Sequence, residues 1–360
     1  MTGGPERAFV VGVDSGGSGL RIALAEAGSG TGSGAGAGVD EGGTGPAAGA
    51  DAVRVAVLET VVSRGPVRTG PGGIDAGQFL DLVLPAVAAM TGRAGGGRIV
   101  AVAVGAAGMA TLGDRLRAEL PDAFAAAWGT RRLALAADAV TAYAGALGQR
   151  PGVVVAGGTG LIALGTDLSG WRRADGWGHL LGDCGSGAWI GRAGLEAALR
   201  AHDGRRGGSA ALLARAEARF GPVAGLPGAL YPRTDRPAVL ASFTPDVAAC
   251  AAAGDPVAAG ILELAARHIA EAATAAAGSG GAGAGGAVAD GTEVAFTGGL
   301  FRLGEPLLGP LRAELAALLP GVRQVPAGGD PLAGAVTIAA ALGGGSLRLP
   351  EDVRLLQLTR

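Results

Sequence analysis

Lysine is absent from this 360-residue sequence, and cysteine is scarce. All 29 basic residues other than histidine are arginines, and together with the many alanines and glycines this pattern indicates a GC-rich genome rather than a functional requirement. The two cysteines, Cys184 and Cys250, form no CxxC motif and have no histidine pair near them. This arrangement argues against a disulfide scaffold and against a zinc site.

A strong net charge and long apolar runs are also missing. The formal net charge is −2, so the chain has no broad basic field that would attract nucleic acid. The N-terminus passes through Glu6 and Arg7 straight into an apolar segment, without the regions of a signal peptide. No apolar run reaches the length of a membrane span. We therefore expect a cytoplasmic protein that binds neither nucleic acid nor a membrane.

Length, apolar residues and glycine are what the sequence has in abundance. A chain of this length exceeds the size at which a single core stops growing, so two domains with a cleft between them are expected. Glycine contributes 70 residues, but 49% of the chain is hydrophobic, which indicates a globular protein with glycine-rich inserts. Two such inserts, residues 28–50 and 278–291, predict flexible low-complexity loops.

Two segments repeat one arrangement of apolar strand, glycine turn and apolar strand. The first covers residues 8–25 around DSGGSG, and the second begins at Pro151 with VVVAGGTG and LIALGTD. This internal repeat indicates two related halves. Further apolar periodicity predicts strands over 53–62, 99–104, 133–136 and 294–296. It predicts helices over 74–90, 188–201, 209–220, 245–253, 256–277, 305–319 and 331–342, and one or two helices over 112–128. Asp330 and Pro331 are expected to be the N-cap and first residue of the last helix.

Residues 176–190, GWGHLLGDCGSGAWI, form the most informative stretch of the chain. The glycines are too irregularly spaced for a strand or a helix. After Ser186, which is placed to be an N-cap, the pattern becomes that of an apolar helix. A glycine turn before a helix offers free N–H donors, which suit an anion or a sugar hydroxyl. A plain connecting loop would fit the same composition.

The order of these residues resembles the GWGH-x-x-GDEGS-x-x-WIG signature of the N-acetylglucosamine kinase and BadF/BadG-type ATPase family. This family is a branch of the actin-like sugar-kinase ATPase superfamily, and the resemblance extends from Phe9 to Leu342. It implies an α/β, ribonuclease H-like fold of two lobes, each a mixed five-stranded sheet flanked by helices, with the active site in the interlobe cleft. The lobes are expected to span residues 1–148 and 149–330, with the helix at about 331–342 packing back on the first lobe. The resemblance also implies ATP, Mg²⁺, a sugar substrate and a homodimer.

The first glycine turn follows Asp14, which ends an apolar strand. Backbone N–H groups at Gly16 and Gly17 could bind phosphate oxygens, and Ser18 could add a hydroxyl donor. Asp14 could hold Mg²⁺ directly or through water. The turn resembles the D-G-G-G-T phosphate loop of the family, with Ser18 at the threonine position. Read without that resemblance, it is equally compatible with an ordinary hairpin tip.

A second glycine turn and a late glycine pair complete the expected nucleotide site. Gly158, Thr159 and Gly160 resemble the S-G-T-G-S loop of the family, which implies that Thr159 contacts ATP phosphates. Two opposed turns would clamp a triphosphate, and phosphoryl transfer needs little more than such a clamp, a metal and a positioned nucleophile. Gly298 and Gly299 resemble the adenosine motif of the superfamily, although glycine before a helix is also an ordinary turn.

Asp138 is the candidate general base. It follows a strand and opens a helical run, and there it could accept the proton of a substrate hydroxyl that attacks the γ-phosphorus. An aspartate in this position is also a common N-cap. The resemblance favours the catalytic role, because the family places its catalytic Asp in the same strand-to-helix D-A context. It further implies that Asp138 also contacts the sugar.

The resemblance assigns the rest of the sugar site to the GWGH segment. It implies that Asp183 binds sugar hydroxyls and that Gly176, Trp177 and Gly178 shape the pocket. Trp177 and Trp189 could stack on a sugar or fill the core beside the loop. His179 is interpreted as a structural residue rather than as a base.

Two departures from the family pattern concern the substrate. Cys184 stands where the family has Glu, which removes a charge and an acceptor beside the sugar pocket. Residues 68–74 read RTGPGGI where N-acetylglucosamine kinases have a sugar-binding Asn. Three hypotheses follow: an ATP-dependent amino-sugar kinase, an ATPase activator that works through an iron–sulfur cluster, and a sugar-binding regulator that has lost activity. The spacing of the two cysteines argues against the activator.

Overall fold

The computed structural model describes residues 7–17, 19–28, 55–70, 73–278 and 290–359. The chain folds into two compact units. The first comprises Met1–Gln149 and Gly328–Arg360, and the second comprises Arg150–Ala327. The chain therefore passes from one unit to the other between residues 149 and 150 and again between residues 327 and 328. The sequence predicts these boundaries between residues 148 and 149 and between residues 330 and 331.

The strands form two main sheets. In the described residues they are β1 (Ala8–Gly16), β2 (Gly19–Glu26), β3 (Val57–Arg64), β4 (Thr69–Gly70), β5 (Gly73–Ile74), β6 (Arg98–Ala106), β7 (Leu133–Ala137), β8 (Gly152–Gly157), β9 (Leu161–Thr166), β10 (Trp171–Asp175), β11 (Glu293–Thr297), β12 (Arg323–Pro326) and β13 (Leu356–Thr359). The first unit has the order β13-β7-β6-β1-β2-β3, with β4 and β5 as a separate pair. The second unit has the order β10-β9-β8-β11-β12.

Helices cover both sheets. In the described residues they are α1 (Ala76–Arg93), α2 (Met109–Leu112), α3 (Asp114–Trp128), α4 (Asp138–Leu147), α5 (Gly187–His202), α6 (Ala210–Phe220), α7 (Leu226–Leu230), α8 (Arg236–Ser242), α9 (Thr244–Ala252), α10 (Pro256–Ala277), α11 (Glu305–Leu318) and α12 (Pro331–Gly343). Short 3-10 turns cover Val223–Gly225 and Gly299–Leu303.

The first sheet has six strands, so the expectation of five in each lobe is wrong for this unit. The sixth strand is β13, which pairs antiparallel with β7. It has only four residues and follows the last predicted helix, so its sequence offered little periodicity. β10, with the sequence WRRAD, was also missed, because its polar residues are all only partly buried and no apolar alternation marks the strand.

The last helix, α12, packs on β1 and α4 of the first unit. The contact is close because glycines line it. A Cβ at Gly12 in β1 would lie 2.7 Å from the backbone nitrogen of Val336, and one at Gly334 would collide with the carbonyl oxygen of Thr141 in α4. Asp330 is the N-cap of α12, as predicted, since its side chain accepts the N–H of Ala333 at 2.9 Å. The glycines therefore bring α4 and β1 against one helix.

The core of the second unit is built around α10. Asp255 caps this helix by accepting the N–H of Ala258 at 2.8 Å. Its buried face, which includes Leu262 and Ile269, packs on the sheet and on α5, α9 and α11. In the described part of the chain no single helix is long and apolar enough to cross a membrane. Only the bent pair Arg236–Ala252 and Pro256–Ala277, at 118° to each other, reaches that length and hydropathy together.

The two predicted low-complexity loops fall largely outside the described residues. Of residues 28–50 the structure describes Gly28, and of residues 278–291 it describes Gly278, Asp290 and Gly291. Gly278 is the left-handed C-cap of α10. Ser18 also lies outside the described residues.

Candidate functional site

Asp14 and Asp138 lie at the same edge of the first sheet. Strands β1, β6 and β7 are parallel, and Ala106 of β6 pairs with Ser15 on one side and with Ala137 on the other. Because neighbouring strands are about 4.8 Å apart, the β1 and β7 backbones are roughly 10 Å apart at this level. Ligands of open α/β sheets bind beyond the carboxyl ends of the strands. Asp14 and Asp138 therefore both lie near the edge of the sheet at which such ligands bind.

Arg21 holds the Asp14 carboxylate. Its Nε and Nη2 donate to Asp14 Oδ2 at 3.0 and 2.5 Å, and its Nη1 donates to Asp330, the N-cap of α12. Burial alone would lower the pKa of Arg21, but the two carboxylates outweigh it and raise the pKa. Sequence reasoning missed Arg21. The signal was present, because a hairpin with its tip between residues 17 and 18 places residues 14 and 21 opposite each other, as they are in the structure.

Asp138 is the first residue of α4, and the alternative that it is the N-cap is wrong. The N-cap position is taken by Ala137, with φ −61° and ψ 147°. The Asp138 side chain is exposed, and its Oδ1 accepts the N–H of the adjacent Ala139 at 2.9 Å. A carboxylate in the first turn of a helix is favoured by the helix dipole.

The first glycine turn leaves its backbone uncovered. A Cβ atom built on Gly16 or Gly17 would meet no atom of the described residues within 4 Å, its chain neighbours aside. Gly19, at the other end of the turn, differs, because a Cβ there would collide with the carbonyl oxygen of Ser63. The glycine at 19 is therefore required by packing, while packing among the described residues does not require glycine at 16 and 17.

The second glycine turn is joined to the start of α5. Gly158 and Thr159 accept the N–H groups of Gly187 and Ala188 at 2.9 and 3.0 Å. Ser186 is the N-cap, as predicted, and its hydroxyl accepts the N–H of Trp189 at 3.2 Å. The Ser186 carbonyl accepts the N–H that follows, that of residue 190. The expectation of free N–H donors at this helix N-terminus is therefore wrong, because the turn and the cap use all four.

Thr159 is exposed at the tip of the second turn, and Gly158 beside it is open. Among the residues that the structure describes, none has an atom within 4 Å of a Cβ on Gly158, whereas a Cβ on Gly160 would lie 2.7 Å from Asp183 Oδ2. The glycine pair after β11 has the same division of roles. Gly298 has φ +104° and abuts the carbonyl oxygen of Gly157, while a Cβ on Gly299 would meet no atom of the described part of the chain within 4 Å. The turn before β9 and the turn after β11 thus pack together.

The loop of residues 176–186 holds a buried carboxylate, and it is called the sugar loop after the role that the family resemblance implies for it. Asp183 is 8% exposed and has a left-handed backbone with φ +53°. Its Oδ1 accepts the N–H of Gly178 at 3.0 Å. Burial raises the pKa of Asp183, the Gly178 N–H opposes that shift, and the charge of Asp175 adds to it. Gly176 and Gly178 have φ values of +77° and +86°, which explains why glycine occupies both positions.

Two residues of β10 brace the sugar loop, and sequence reasoning missed both. The Asp175 carboxylate accepts two backbone N–H groups of the loop. Arg173 donates from Nε to the carbonyl of Asp175 at 3.0 Å and from Nη2 to that of Gly176 at 2.6 Å. Its guanidinium lies 4.4 Å from the ring centre of Trp177, a cation–π contact. Both residues lie directly before the GWGH motif, and that position could have marked them as supports of the loop.

The two tryptophans of this region have different environments. Trp177 is 65% exposed, although the Arg173 guanidinium lies over its ring. Trp189 packs against the core of the second unit and meets His268 edge to face at 5.3 Å. Trp189 therefore fills the core beside the loop, which is one of the two roles that the sequence left open for it.

The predicted site residues divide between the two units. Asp14, Gly16, Gly17 and Asp138 belong to the first. The second holds Gly158, Thr159, Gly160, Gly176, Trp177, Gly178, Asp183, Gly298 and Gly299. Within the described residues no cluster of three or more His, Cys, Asp or Glu side chains could hold a metal ion. Cys250 is buried at 4% exposure in α9, and Cys184 is partly buried in the sugar loop.

Comparison with known proteins identifies a family. The model of the BadF/BadG/BcrA/BcrD ATPase family matches residues 11–339. The N-acetylmuramic acid/N-acetylglucosamine kinase of Clostridium acetobutylicum is 45% identical over 69 residues. That match covers 19% of this chain and 22% of the relative, so the aligned region spans about a fifth of the relative's length.

Solved structures agree with the family match. A protein of Chromobacterium violaceum, provisionally assigned as an N-acetylglucosamine kinase, has a TM-score of 0.62 and 28% identity, with 91% of this chain and 97% of that chain covered. A Porphyromonas gingivalis protein with the same provisional assignment has a TM-score of 0.60 and 17% identity, with 93% and 99% covered, and shows the fold alone. The predicted fold class, that of the actin-like sugar kinases, is confirmed.

Proposed function

Because the chain belongs to the BadF/BadG/BcrA/BcrD ATPase family, we propose that it is an ATP-dependent kinase of an amino sugar, similar to N-acetylglucosamine kinase. The relatives provide the first support, since their names describe kinases of N-acetylglucosamine and N-acetylmuramic acid. The observation that carries the proposal lies in the first unit. Two carboxylates, Asp14 and Asp138, follow parallel strands at one sheet edge, beside a turn whose glycine backbone is uncovered.

In this proposal Asp138 is the general base. The substrate hydroxyl oxygen forms a bond to the γ-phosphorus of ATP, the bond from that phosphorus to the β,γ-bridging oxygen breaks, and ADP leaves. The hydroxyl proton passes to a carboxylate oxygen of Asp138. Exposure of this side chain at the start of α4 leaves room for a substrate.

Each unit by itself has residues that would suit part of a nucleotide. The glycines at 16, 17, 158 and 299 have open space where a Cβ would be, as close approach of phosphates and a base to the backbone requires. Thr159 offers an exposed hydroxyl, and Gly298 fixes the turn that carries Gly299. Ser18 completes the first turn in the proposal.

Asp14 is the magnesium ligand in this proposal. Mg²⁺ in phosphate sites is held by one or two carboxylates, water and the phosphates themselves. Asp14 fits that need through Oδ1, because Arg21 occupies only Oδ2 and no other described residue hydrogen bonds to Oδ1. When bound, the ion would neutralise charge on the phosphates. Asp14 would hold it directly or through water.

The substrate side of the proposal rests on the sugar loop. A carboxylate and an exposed indole suit a sugar, which presents paired hydroxyls and an apolar face. Asp138 and Asp183 would receive hydroxyls, while Gly176, Trp177 and Gly178 would shape the pocket. The sequence contains no asparagine, so the family's sugar-binding Asn has no direct counterpart. A cytoplasmic homodimer without nucleic-acid or membrane partners remains part of the proposal.

Turnover with a panel of hexosamines tests the function. Purified protein with ATP and Mg²⁺ should release ADP only when an accepted amino sugar is present. Asp138→Asn should lower that rate by about 10²–10⁴-fold, the usual contribution of a general base. Asp114→Asn is the matched control, because Asp114 is an exposed first-turn aspartate of α3. No sugar-dependent ADP release with any hexosamine would refute the kinase.

The same assay separates the other two hypotheses. ATP hydrolysis that requires a protein partner would favour the activator, although Cys250 is buried in α9 and poorly placed to bind a cluster. Sugar binding without turnover would favour a regulator. The feature that favours a regulator is the Cys at position 184, which leaves the position of the family's Glu without a carboxylate.

A further inference from the structure

The Asp175 carboxylate binds the backbone of the sugar loop. Asp175, the last residue of β10, accepts the N–H of Asp183 through Oδ1 at 2.7 Å and the N–H of Cys184 through Oδ2 at 2.8 Å. Both oxygens are therefore used to fix two consecutive peptide groups, eight and nine residues further along the chain. A carboxylate that accepts backbone N–H groups makes stronger hydrogen bonds than a neutral acceptor does.

The backbone of this loop needs such a restraint. Asp175 and Asp183 both have left-handed backbones, with φ values of +59° and +53°, which are uncommon for residues other than glycine. The chain also passes tightly over the carboxylate, because a Cβ at Gly182 would collide with Asp175 Oδ1 and lie 2.9 Å from the Cβ of Trp177. Strained conformations persist where surrounding contacts over-determine them, and they cluster at ligand sites.

We propose that Asp175 is a positioning residue, which fixes the backbone of Asp183 so that its buried carboxylate is presented to the sugar. The inference rests on the proposed role of Asp183. It also explains how Cys is accommodated at 184, where the family signature has Glu. The Asp175 carboxylate lies against the position 184 backbone, so this part of the loop retains a negative charge.

Kinetics of Asp175 variants provide the first test. Asp175→Ala should raise KM for the amino sugar at least tenfold, while kcat and KM for ATP change less than threefold. The sugar KM of Asp175→Asn should lie between those of the wild type and Asp175→Ala, because an amide has one acceptor oxygen for two N–H groups. Asp167→Asn is the matched control, since Asp167 lies in the turn before β10 and bonds to Ser169 and Arg172 instead. A sugar KM within twofold of wild type for Asp175→Ala overturns the proposal.

A second readout does not need catalysis. Amide hydrogen exchange at Asp183 and Cys184 should accelerate at least tenfold in Asp175→Ala and should not change in Asp167→Asn. Burial, and then the charge of Asp175, raise the pKa of the Cys184 thiol. In a Cys250→Ala background, Asp175→Asn should therefore speed alkylation of Cys184 several-fold at pH 7.5.

The two readouts keep this inference distinct from the proposed function. If the wild-type protein phosphorylates no sugar, the proposed kinase function is refuted. Unchanged amide hydrogen exchange in Asp175→Ala would independently refute the restraint of the loop by Asp175. If exchange accelerates but the sugar KM of an active enzyme does not move, Asp175 is only structural and the positioning role is wrong.

Discussion

Replacing Arg21 should destabilise the first unit and expose the dependence of Asp14 on it. Arg21→Met keeps most of the apolar stem but removes the donors to Asp14 and Asp330. Asp14 would then retain a charge on a side chain that is 14% exposed. Breaking a fully buried ion pair costs about 3–5 kcal/mol, and an exposed pair contributes below about 1 kcal/mol.

The expected loss lies between these limits, because the Arg21 side chain is one-third exposed. We expect the free energy of unfolding to fall by about 2 kcal/mol, given the cost of leaving a charged acceptor without its donor. For a domain of this size that corresponds to a Tm lower by roughly 4–8 °C. Thermal unfolding followed by circular dichroism would measure it.

Variants of Asp330 separate the ion pair from the helix cap. Asp330→Asn loses the charge but keeps an oxygen for the N–H of Ala333, and its ion pair is half exposed, so the loss should be below about 1 kcal/mol. Asp330→Ala also loses the cap, which adds about 1 kcal/mol. If Arg21→Met is as stable as wild type, or if Asp330→Asn is equally damaging, the argument that Arg21 mainly supports Asp14 is wrong.

Four further predictions use the described contacts. Gly17→Ala should leave Tm unchanged, because its Cβ meets no atom of the residues described beyond its neighbours, yet it should raise KM for ATP at least tenfold. An unchanged KM for ATP would argue against the phosphate turn. Asp183→Asn should raise Tm at pH 7 and abolish sugar turnover. Burial raises the pKa of Asp183, so the wild-type protein becomes more stable as the pH falls through that pKa toward the ordinary value of an aspartate. The Asp183→Asn variant should lack this gain in stability at low pH. Gly334→Ala should cost about 3 kcal/mol by overpacking against Thr141, and a denaturant midpoint near wild type would contradict that packing. Gly260→Ala, in the exposed interior of α10, should instead stabilise by about 1 kcal/mol, measured in the same denaturant series.

Local signals explain the successful predictions. Glycine turns between apolar strands marked the hairpins of both units, and Ser186 and Asp330 marked the starts of α5 and α12 through capping chemistry. The family signature itself lies within sixteen consecutive residues, 176–191. Such features depend on neighbours in the chain, so they are readable before any fold is known.

The missed features depend on partners distant in sequence. Arg21 bonds to Asp330, 309 residues away, and the first N–H groups of α5 are used by the turn around Gly158. The strand β13 forms only because β7 offers it an edge. No periodicity or composition of the separate segments contains these pairings.

The sequence alone therefore determined the fold class, the order of the glycine turns and the identity of the candidate residues, because each is encoded in short-range pattern. Only the tertiary structure decided which of those residues have room for a ligand and which are required by packing. It left Gly16 and Gly17 uncovered, used the N–H groups of α5 internally and placed Asp175 behind the sugar loop. The physical reason is that open space, hydrogen-bond partners and burial are properties of segments brought together by folding.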